Sequence, residues 1–453
     1  MSRRRISRSC VLLAAAGLCA ASATAAPPPP LAFAAAAHAV APEPPPFTLI
    51  GPDLSARPVR IAGWSAAGLT VADETGLERE LPRSRAAALA PISWSITDSK
   101  WAAVAPMPQA NFMARRPAGV VELTDGQRFV GSPVAEDAGA EHLVWDHPQL
   151  GRLRLPLERI RRIDTGLSPR ASAPAARAGD DDEVHLVNGD RVAGLIESIG
   201  ESVVVSLGTG RSAGRVEIPL DRVGSITLVN PPVEPSGTMV WLKDGSVIRA
   251  ASLEAQSGSQ GMGGAGGVGG APTLVAVGLE EDLGSERRNW PLDQIAAVNF
   301  DAAALRPLAS LPIAAQGRAP GSTRRRIESV RVLPPEPADA TATAPLGAAD
   351  IEFPGPMMVD WTLPQGATRL AGWAELPEAF RAWGDCEVTI GIVGPGGGEA
   401  REVWRRRINA DAPVARFDVP LSPGTVRFTI EPGERGPVQD RIVVRRALLA
   451  ITR

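Results

Sequence analysis

Short stretches of alternating hydrophobic and polar residues recur along the first two thirds of the chain, and each ends in a tight-turn dipeptide. Residues 184–189 read Val-His-Leu-Val-Asn-Gly, and residues 240–245 read Val-Trp-Leu-Lys-Asp-Gly. Alternation with a period of two is typical of half-buried strands. Asn-Gly and Asp-Gly tolerate the positive φ that a two-residue hairpin needs at both central positions. The pattern therefore predicts a series of β-hairpins.

Each hairpin is followed at a distance by a proline and then by a closing apolar stretch. The prolines are Pro156, Pro219 and Pro291, with an eroded counterpart at Pro82. A proline cannot donate to a strand ladder, so it ends a strand or lies on a sheet edge. Repetition of this kind predicts tandem small β-modules. We place the repeats, here called cassettes one to four, at 47–98 (degenerate), 115–166, 180–229 and 236–301, the last with a Gly-rich insertion at 257–272.

The remainder of the chain has a different pattern. Residues 302–346 are rich in Pro, Ala, Thr and Arg, and we predict a linker there. Residues 347–453 alternate again between Gly/Pro turns, as in 387–392 and 426–430, at a spacing typical of a sandwich. The predicted fold is therefore all-β, with tandem small β-barrel repeats followed by a C-terminal, jelly-roll-like β-sandwich.

The N-terminus has the features of an export signal. Arg3, Arg4 and Arg5 precede an apolar core, and an A-x-A cleavage site ends at Ala25. We predict a signal peptide over 1–25, an Ala/Pro tether over 26–46, and an exported product that is periplasmic or extracellular. No later apolar run reaches the length of a transmembrane helix, so we expect no transmembrane segment.

Composition narrows the classes of function. The formal net charge is −3, which gives no general attraction to polyanions, so we expect no nucleic-acid partner. Two of the three cysteines lie in the predicted signal peptide, which leaves Cys386 without an internal disulfide partner. Four histidines and no GxSxG or HExxH motif supply little acid–base chemistry. We expect a non-enzyme without catalytic residues or cofactors, although a hydrolase with two carboxylates about 5–10 Å apart remains an alternative.

Two local motifs have alternative interpretations. Glu141, His142, Asp146 and His147 offer metal-ligand chemistry, but on a strand His147 faces away from its neighbours, so we predict no metal site. Residues 264–269 match the dinucleotide-binding GxGxxG pattern. That pattern needs a helix after it, whereas a strand pattern follows here, and we interpret the segment as a loop.

The cassettes resemble a known family. Residues 184–194, with Ile218-Pro219 and 223–226, are similar to Sm-like small β-barrels in their turn glycines and apolar frame. This resemblance implies a barrel for each cassette. Residues 197–201 replace the Asp-x-x-x-Asn element that RNA-binding Sm-like proteins carry, so RNA binding is not implied.

The C-terminal region resembles a second family. Asp360-Trp361, Gly384-Asp385 and Asp440-Arg441, with the strand patterns beside them, are similar to the NPCBM family of carbohydrate-binding modules. The resemblance implies a β-sandwich and a polysaccharide partner. The apolar face of a pyranose stacks on exposed aromatic rings, so we predict that ligand contacts come from Trp373, Trp383 and Trp404. The alternative is an assembly module in which cassette edges pair with envelope proteins, without glycan binding.

Overall fold

The computed structural model describes residues 47–65, 67–73, 75–91, 119–135, 141–167, 181–208, 214–257, 272–279, 287–319, 328–333 and 343–452. The predicted signal peptide, the tether and most of the Gly-rich insertion lie outside the described residues. The described residues belong to one unit, which runs from Pro44 to Arg453. Within the described part, no helix is long and apolar enough to cross a membrane.

The four cassettes share one order of strands, in which two hairpins precede a closing strand. In the third cassette the second strand is split in two at Gly194. The cassettes comprise β1 (Phe47–Ile50), β2 (Ala56–Trp64), β3 (Gly68–Ala72), β4 (Glu78–Pro82) and β5 (Ala88–Pro91); β6 (Gly119–Leu123), β7 (Arg128–Pro133), β8 (His142–His147), β9 (Gly151–Pro156) and β10 (Ile160–Asp164); β11 (Glu183–Leu186), β12 (Arg191–Ala193), β13 (Leu195–Ile199), β14 (Ser202–Leu207), β15 (Gly214–Pro219) and β16 (Val223–Thr227); and β17 (Thr238–Leu242), β18 (Val247–Ser257), β19 (Pro272–Leu279), β20 (Arg287–Pro291) and β21 (Ile295–Asn299).

Local sequence explains the turns of each cassette. Gly126, Gly189 and Gly245 adopt φ of 85°, 94° and 94° in the hairpin turns, a region that residues with a Cβ enter at a cost. Each of the four strands that end in proline runs into a single 3₁₀ turn before the closing strand. These turns are Arg83–Arg85, Leu157–Arg159, Leu220–Arg222 and Leu292–Gln294.

The prediction of small barrels has to be corrected, because no sheet of the described chain closes into a barrel. Each closing strand pairs with the first strand of its own cassette and with the closing strand of another cassette. β5 pairs with β1 and β21, while β10 pairs with β6 and β16. A strand has two edges, so the closing strand has none left for the fourth strand of its own cassette. The all-β prediction is confirmed, and the Sm-like resemblance is not supported.

Cassettes two and four also exchange hydrogen bonds at equivalent positions. Gln127, directly after the turn glycine of cassette two, accepts the Arg249 N–H at 3.0 Å. Ser246, directly after the turn glycine of cassette four, accepts the Val130 N–H through Oγ at 3.2 Å. Both acceptors are fully buried. The cassettes therefore share one hydrophobic core rather than four separate ones.

The C-terminal region is a sandwich of two antiparallel sheets, as predicted. One sheet has the order β24-β25-β32-β27-β30 with β22 also on β32, and the other has the order β23-β26-β31-β28-β29. The strands are β22 (Leu305–Pro307), β23 (Ile313–Gly317), β24 (Arg331–Val332), β25 (Ile351–Pro354), β26 (Met357–Thr362), β27 (Ala367–Glu375), β28 (Asp385–Val393), β29 (Arg401–Asn409), β30 (Val414–Pro420), β31 (Thr425–Pro432) and β32 (Arg441–Ile451), with 3₁₀ turns at Leu308–Ser310, Pro345–Gly347 and Glu378–Phe380.

The inner faces of the two sheets meet in an aromatic core. Trp361, Phe353 and Phe428 contact one another with ring centroids 5.5–5.8 Å apart, and Phe417 extends the cluster at 5.8 Å from Phe428. All four side chains are at most 1% exposed. Alternating apolar residues on facing strands interdigitate in this way in sandwich folds.

Part of the predicted linker at 302–346 is paired with the sandwich, which corrects that prediction. The three short strands β22, β23 and β24 fall within it and pair with β32, β26 and β25. Strands without a neighbour leave backbone N–H and C=O groups unpaired, and these segments satisfy some of them. Leu308, also within 302–346, is fully buried in the sandwich core.

The outer face of one sandwich sheet packs against cassettes one and four. Ala371 and Leu448 from the sandwich join Ile50 and Trp241 from the cassettes in a separate buried cluster. This sheet face is therefore covered where it meets the cassettes, which restricts where a ligand can reach the sandwich.

Candidate functional site

An exposed tryptophan lies on the loop that joins β27 to β28. The loop closes on itself where the Gly384 N–H donates to the Phe380 carbonyl at 2.8 Å. A Cβ on Gly384 would lie only 2.7 Å from Leu376 Cδ1 and 2.8 Å from the Phe380 oxygen, so the tight loop requires glycine. Trp383, the residue before this glycine, is 62% exposed, and in the described part of the chain no other tryptophan or phenylalanine is comparably exposed.

A buried carboxylate organises the polar groups near this tryptophan. Asp385, the first residue of β28, is 1% exposed. Arg407 on β29 donates from Nε and Nη2 to its two oxygens, each at 2.8 Å, and from Nη1 to Glu434 at 2.8 Å. Hydrogen bonds from Arg407 lower the pKa of Asp385 and of Glu434 below their usual values. Both carboxylates are therefore ionised at neutral pH.

The loop after β31 wraps around the same carboxylate. The Gly433 N–H donates to the Asp385 carbonyl at 2.7 Å, and the Arg435 N–H donates to Asp385 Oδ2 at 3.3 Å. A Cβ on Gly433 would lie 2.5 Å from Asp385 Cγ, so only glycine permits this approach. Arg435 Nη1 donates to the Ala382 carbonyl at 3.3 Å, directly before Trp383. Two loops are thereby tied together, and we call Trp383, Arg407, Glu434 and Arg435, with Asp385 beneath, the Trp383 surface.

The three predicted tryptophans have different surroundings in the structure. Trp404 packs edge-to-face on Phe417, with centroids 5.8 Å apart, and its Nε1–H donates to the Arg416 carbonyl at 3.2 Å. Trp373 lies half-buried against the cluster between sandwich and cassettes. Both rings therefore have packing roles, and Trp383 alone presents a largely open ring face.

The sequence contains partial signals for the polar part of the surface. Gly384-Asp385 stands at the start of a strand, and Arg405, Arg406 and Arg407 stand on the next strand, but their pairing follows from the register between β28 and β29. Glu434 and Arg435 lie in a turn whose position depends on Asp385. Sequence reasoning named Trp383 as a candidate contact and did not name these charged partners.

The histidine cluster of cassette two forms a buried structural contact. His147 is 1% exposed, and its Nε2 lies 2.9 Å from Ser246 Oγ and 4.0 Å from Asp244 Oδ2. Its Nδ1 accepts the N–H groups of Gln149 and Leu150. In a catalytic triad the serine and the carboxylate contact different ring nitrogens, so this arrangement does not activate Ser246. In the part that the structure describes, no three His, Cys, Asp or Glu side chains converge as metal ligands.

The cysteine of the sandwich is equally unsuited to chemistry. Cys386 is fully buried, and burial raises the pKa of its thiol far above the usual range. The thiolate is the nucleophilic form, so this residue contributes packing.

A cleft of 410 Å³ lies between cassettes two and three. Asp182 holds one wall by accepting the N–H groups of Ile196 and Val229 at 3.0 and 2.8 Å. Asn230 holds the other through the Leu157 carbonyl at 2.8 Å. Two large apolar side chains of the lining are exposed, Leu195 at 66% and Val229 at 42%.

Comparison with known proteins gives only distant similarities. No family model matches the chain, and no curated protein matches it. Among solved structures it is similar to the CBM51-2 and INT domains of Clostridium perfringens ZmpB (11% identity, TM-score 0.25, 39% of this chain and 36% of that one). It is also similar to the CBM51 of Clostridium perfringens GH95 in complex with methyl-galactose (9% identity, TM-score 0.25, 32% of this chain and 99% of that one).

A further similarity is to the tandem CBM51 modules of the family 98 glycoside hydrolase Sp3GH98 from Streptococcus pneumoniae, at 8% identity and a TM-score of 0.25, over 71% of this chain and 88% of that one. The match to the CBM51-2 and INT domains of ZmpB covers about a third of the ZmpB chain.

Proposed function

We propose that this chain is a non-catalytic glycan-binding protein and that the Trp383 surface contacts the sugar. The observation that carries the proposal is a 62% exposed tryptophan beside a fixed set of charged hydrogen-bonding groups. Export of the protein, predicted from its N-terminal sequence, is part of the same proposal.

The chemistry of the surface suits a sugar. An indole ring offers a large rigid apolar face, on which the C–H face of a pyranose can stack. Sugar hydroxyls both donate and accept hydrogen bonds, and the surface offers an acceptor in Glu434 and donors in Arg407 and Arg435. Asp385 holds the Arg407 side chain, Arg407 holds the Glu434 side chain, and the Ala382 carbonyl holds the Arg435 guanidinium. Little side-chain freedom is therefore lost on binding, which favours affinity.

The proposal assigns a structural role to the other two predicted tryptophans, Trp373 and Trp404. Trp373 and Trp404 are expected to support the sandwich rather than to stack on ligand, because their rings are packed on buried residues. Their replacement should lower stability, whereas replacement of Trp383 should not. Contact between either ring and a sugar remains a prediction from sequence.

The test is a glycan array with the full chain, followed by titration of any hit with tryptophan fluorescence as the readout. The variant Trp383→Ala should abolish binding and retain the thermal unfolding midpoint, since little of the ring is buried. Val438→Ala is the matched control, because Val438 is 50% exposed on the loop after β31 and lies outside the Trp383 surface. Equal binding by wild type and Trp383→Ala would refute the assignment of the site.

The full chain is needed for this experiment. Residues 305–307, 313–317 and 331–332 form strands paired with β32, β26 and β25, so a fragment beginning at residue 340 would leave three sandwich strands without these partners. Loss of binding by such a fragment would therefore not separate a missing site from an unfolded domain.

The second candidate function is protein assembly, and the cleft between cassettes two and three favours it. Its charged lining residues are all acidic (Glu158, Asp181 and Asp182), beside the exposed Leu195 and Val229. The lining of this cleft is complementary to a protein segment with cationic and apolar side chains. Light scattering of wild type and Leu195→Glu tests self-association, with Leu77→Glu, at a 54% exposed position in cassette one, as control. A strict monomer would argue against assembly between copies of this chain.

A further inference from the structure

Arg435 differs from the other arginines around the Trp383 surface. Arg407 is held by Asp385 and Glu434, Arg381 by Glu375, and Arg441 by Glu328 and Glu352. The Arg435 guanidinium instead bonds the Ala382 carbonyl through Nη1. Among the described residues, no carboxylate lies within salt-bridge distance of it.

The position of this cation is fixed from both ends. Its backbone N–H donates to Asp385 Oδ2, and its guanidinium contacts the main chain of the Trp383 loop. The residue itself is exposed. A guanidinium has five N–H donors in a planar fork, and one bond to a carbonyl leaves others open to solvent.

We infer that Arg435 selects glycans bearing a carboxylate, so that the Trp383 surface takes acidic sugars such as uronic acids. The inference rests on the proposed glycan-binding function. Guanidinium and carboxylate match in geometry and form paired, charge-assisted hydrogen bonds. With the ring of the sugar on Trp383, a carboxylate at its edge meets the cation that is tied to the preceding residue.

The two carboxylates of the Trp383 surface do not form an ion pair with the Arg435 guanidinium. Asp385 and Glu434 both accept from Arg407, which offsets part of their charge. Asp385 is also buried beneath the loop and accepts backbone N–H groups. Within the described part of the chain, Arg435 is therefore a cation with no carboxylate paired to it, and a ligand carboxylate can take that place.

The experiment measures the affinity of the full chain for two matched pairs of sugars. One pair is trigalacturonic acid and its methyl-esterified form, and the other is sialyllactose and its methyl ester. We expect an acidic sugar to bind at least about tenfold more tightly than its neutral counterpart, as a charge-assisted hydrogen bond provides. Arg435→Gln should remove this preference and retain weak neutral binding, Arg435→Lys should retain part of it, and Arg401→Gln, an exposed control on β29, should not alter it.

The outcomes separate this inference from the proposed function. Equal, Trp383-dependent binding of acidic and neutral sugars would overturn the role of Arg435 and leave glycan binding intact. A preference that persists in Arg435→Gln would also overturn it, while the absence of any sugar binding would overturn both. Salt provides a test without substitution, since added salt should weaken acidic-sugar binding and leave neutral binding unchanged. Equal sensitivity of both sugars to salt would contradict the inference.

Discussion

Acidification should weaken the contact between cassettes two and four through His147. Its Nδ1 accepts the N–H groups of Gln149 and Leu150, each at 3.1 Å, so the ring proton of the neutral side chain lies on Nε2. Nε2 then donates to Ser246 Oγ at 2.9 Å. A second proton on Nδ1 would displace both backbone N–H groups and place a positive charge in a site that is 1% exposed.

The direction of the pH effect follows from the pKa. Burial lowers the pKa of His147 below its usual value, and the carboxylates of Asp244 and Asp146 oppose this shift. Histidine in an unfolded chain has a pKa of about 6.5. Between that pH and the lower folded pKa, the unfolded chain binds more protons than the folded chain. The free energy of unfolding therefore falls as the pH drops through this window, by at most about 1.4 kcal/mol per pH unit for one group.

Urea unfolding from about pH 7.5 to about pH 5 measures this effect. Other carboxylates also titrate, so the quantity of interest is the wild-type free energy of unfolding minus that of His147→Gln. This difference should decrease as the pH falls below about 6.5. His142→Gln, on the same strand and half-buried, is the control. A difference that stays constant, or that grows on acidification because Asp244 stabilises the charged ring, would refute the reasoning.

Three further predictions concern stability, each measured by chemical unfolding. Gly424→Ala should lower the free energy of unfolding by about 2 kcal/mol or more, because φ is +140° and a Cβ would lie 2.1 Å from a backbone oxygen. Gly76→Ala, at φ +81° in open space, should lower it by about 1 kcal/mol. Equal costs would contradict the role of close approach. Trp361→Ala should cost about 3–5 kcal/mol through loss of the aromatic core, and a cost below about 1 kcal/mol would argue against that core. Gln127→Leu should lower the free energy of unfolding by about 1–3 kcal/mol, because it removes the acceptor of the Arg249 N–H and the donor to Asp125 Oδ2. A neutral effect would contradict the exchange between cassettes.

Several elements could be predicted from sequence because their causes are local. The turn glycines at 126, 189 and 245 and the prolines that end the fourth strands act through φ and a missing N–H, which need no distant partner. Period-two alternation likewise placed strands in the C-terminal region, where β28 and β31 lie. Trp383 was predicted as a contact residue from its residue type alone.

The errors share a cause, which is competition between strand edges that are distant in sequence. Nothing in cassette one alone shows that β5 will pair with β21 of cassette four, and that pairing replaces barrel closure. The segment 302–346 is rich in Pro, Ala, Thr and Arg, which predicts a linker, yet sandwich strands with free edges pair with parts of it. Edge pairing depends on which surfaces meet, so a local pattern does not determine it.

The sequence by itself determined that this chain is all-β, that its N-terminal region is a repeat, and that its last region is a sandwich, because periodicity and turn chemistry act over a few residues. Tertiary structure decided which cassette edges pair, which tryptophans are packed, and that Asp385 gathers Arg407, Glu434 and Arg435 beside Trp383. The contacts of Asp385 with these groups join residues up to 50 positions apart. Burial stabilises these contacts and strand register determines which residues they join. Both exist only once the two loops and the two sheets have packed together.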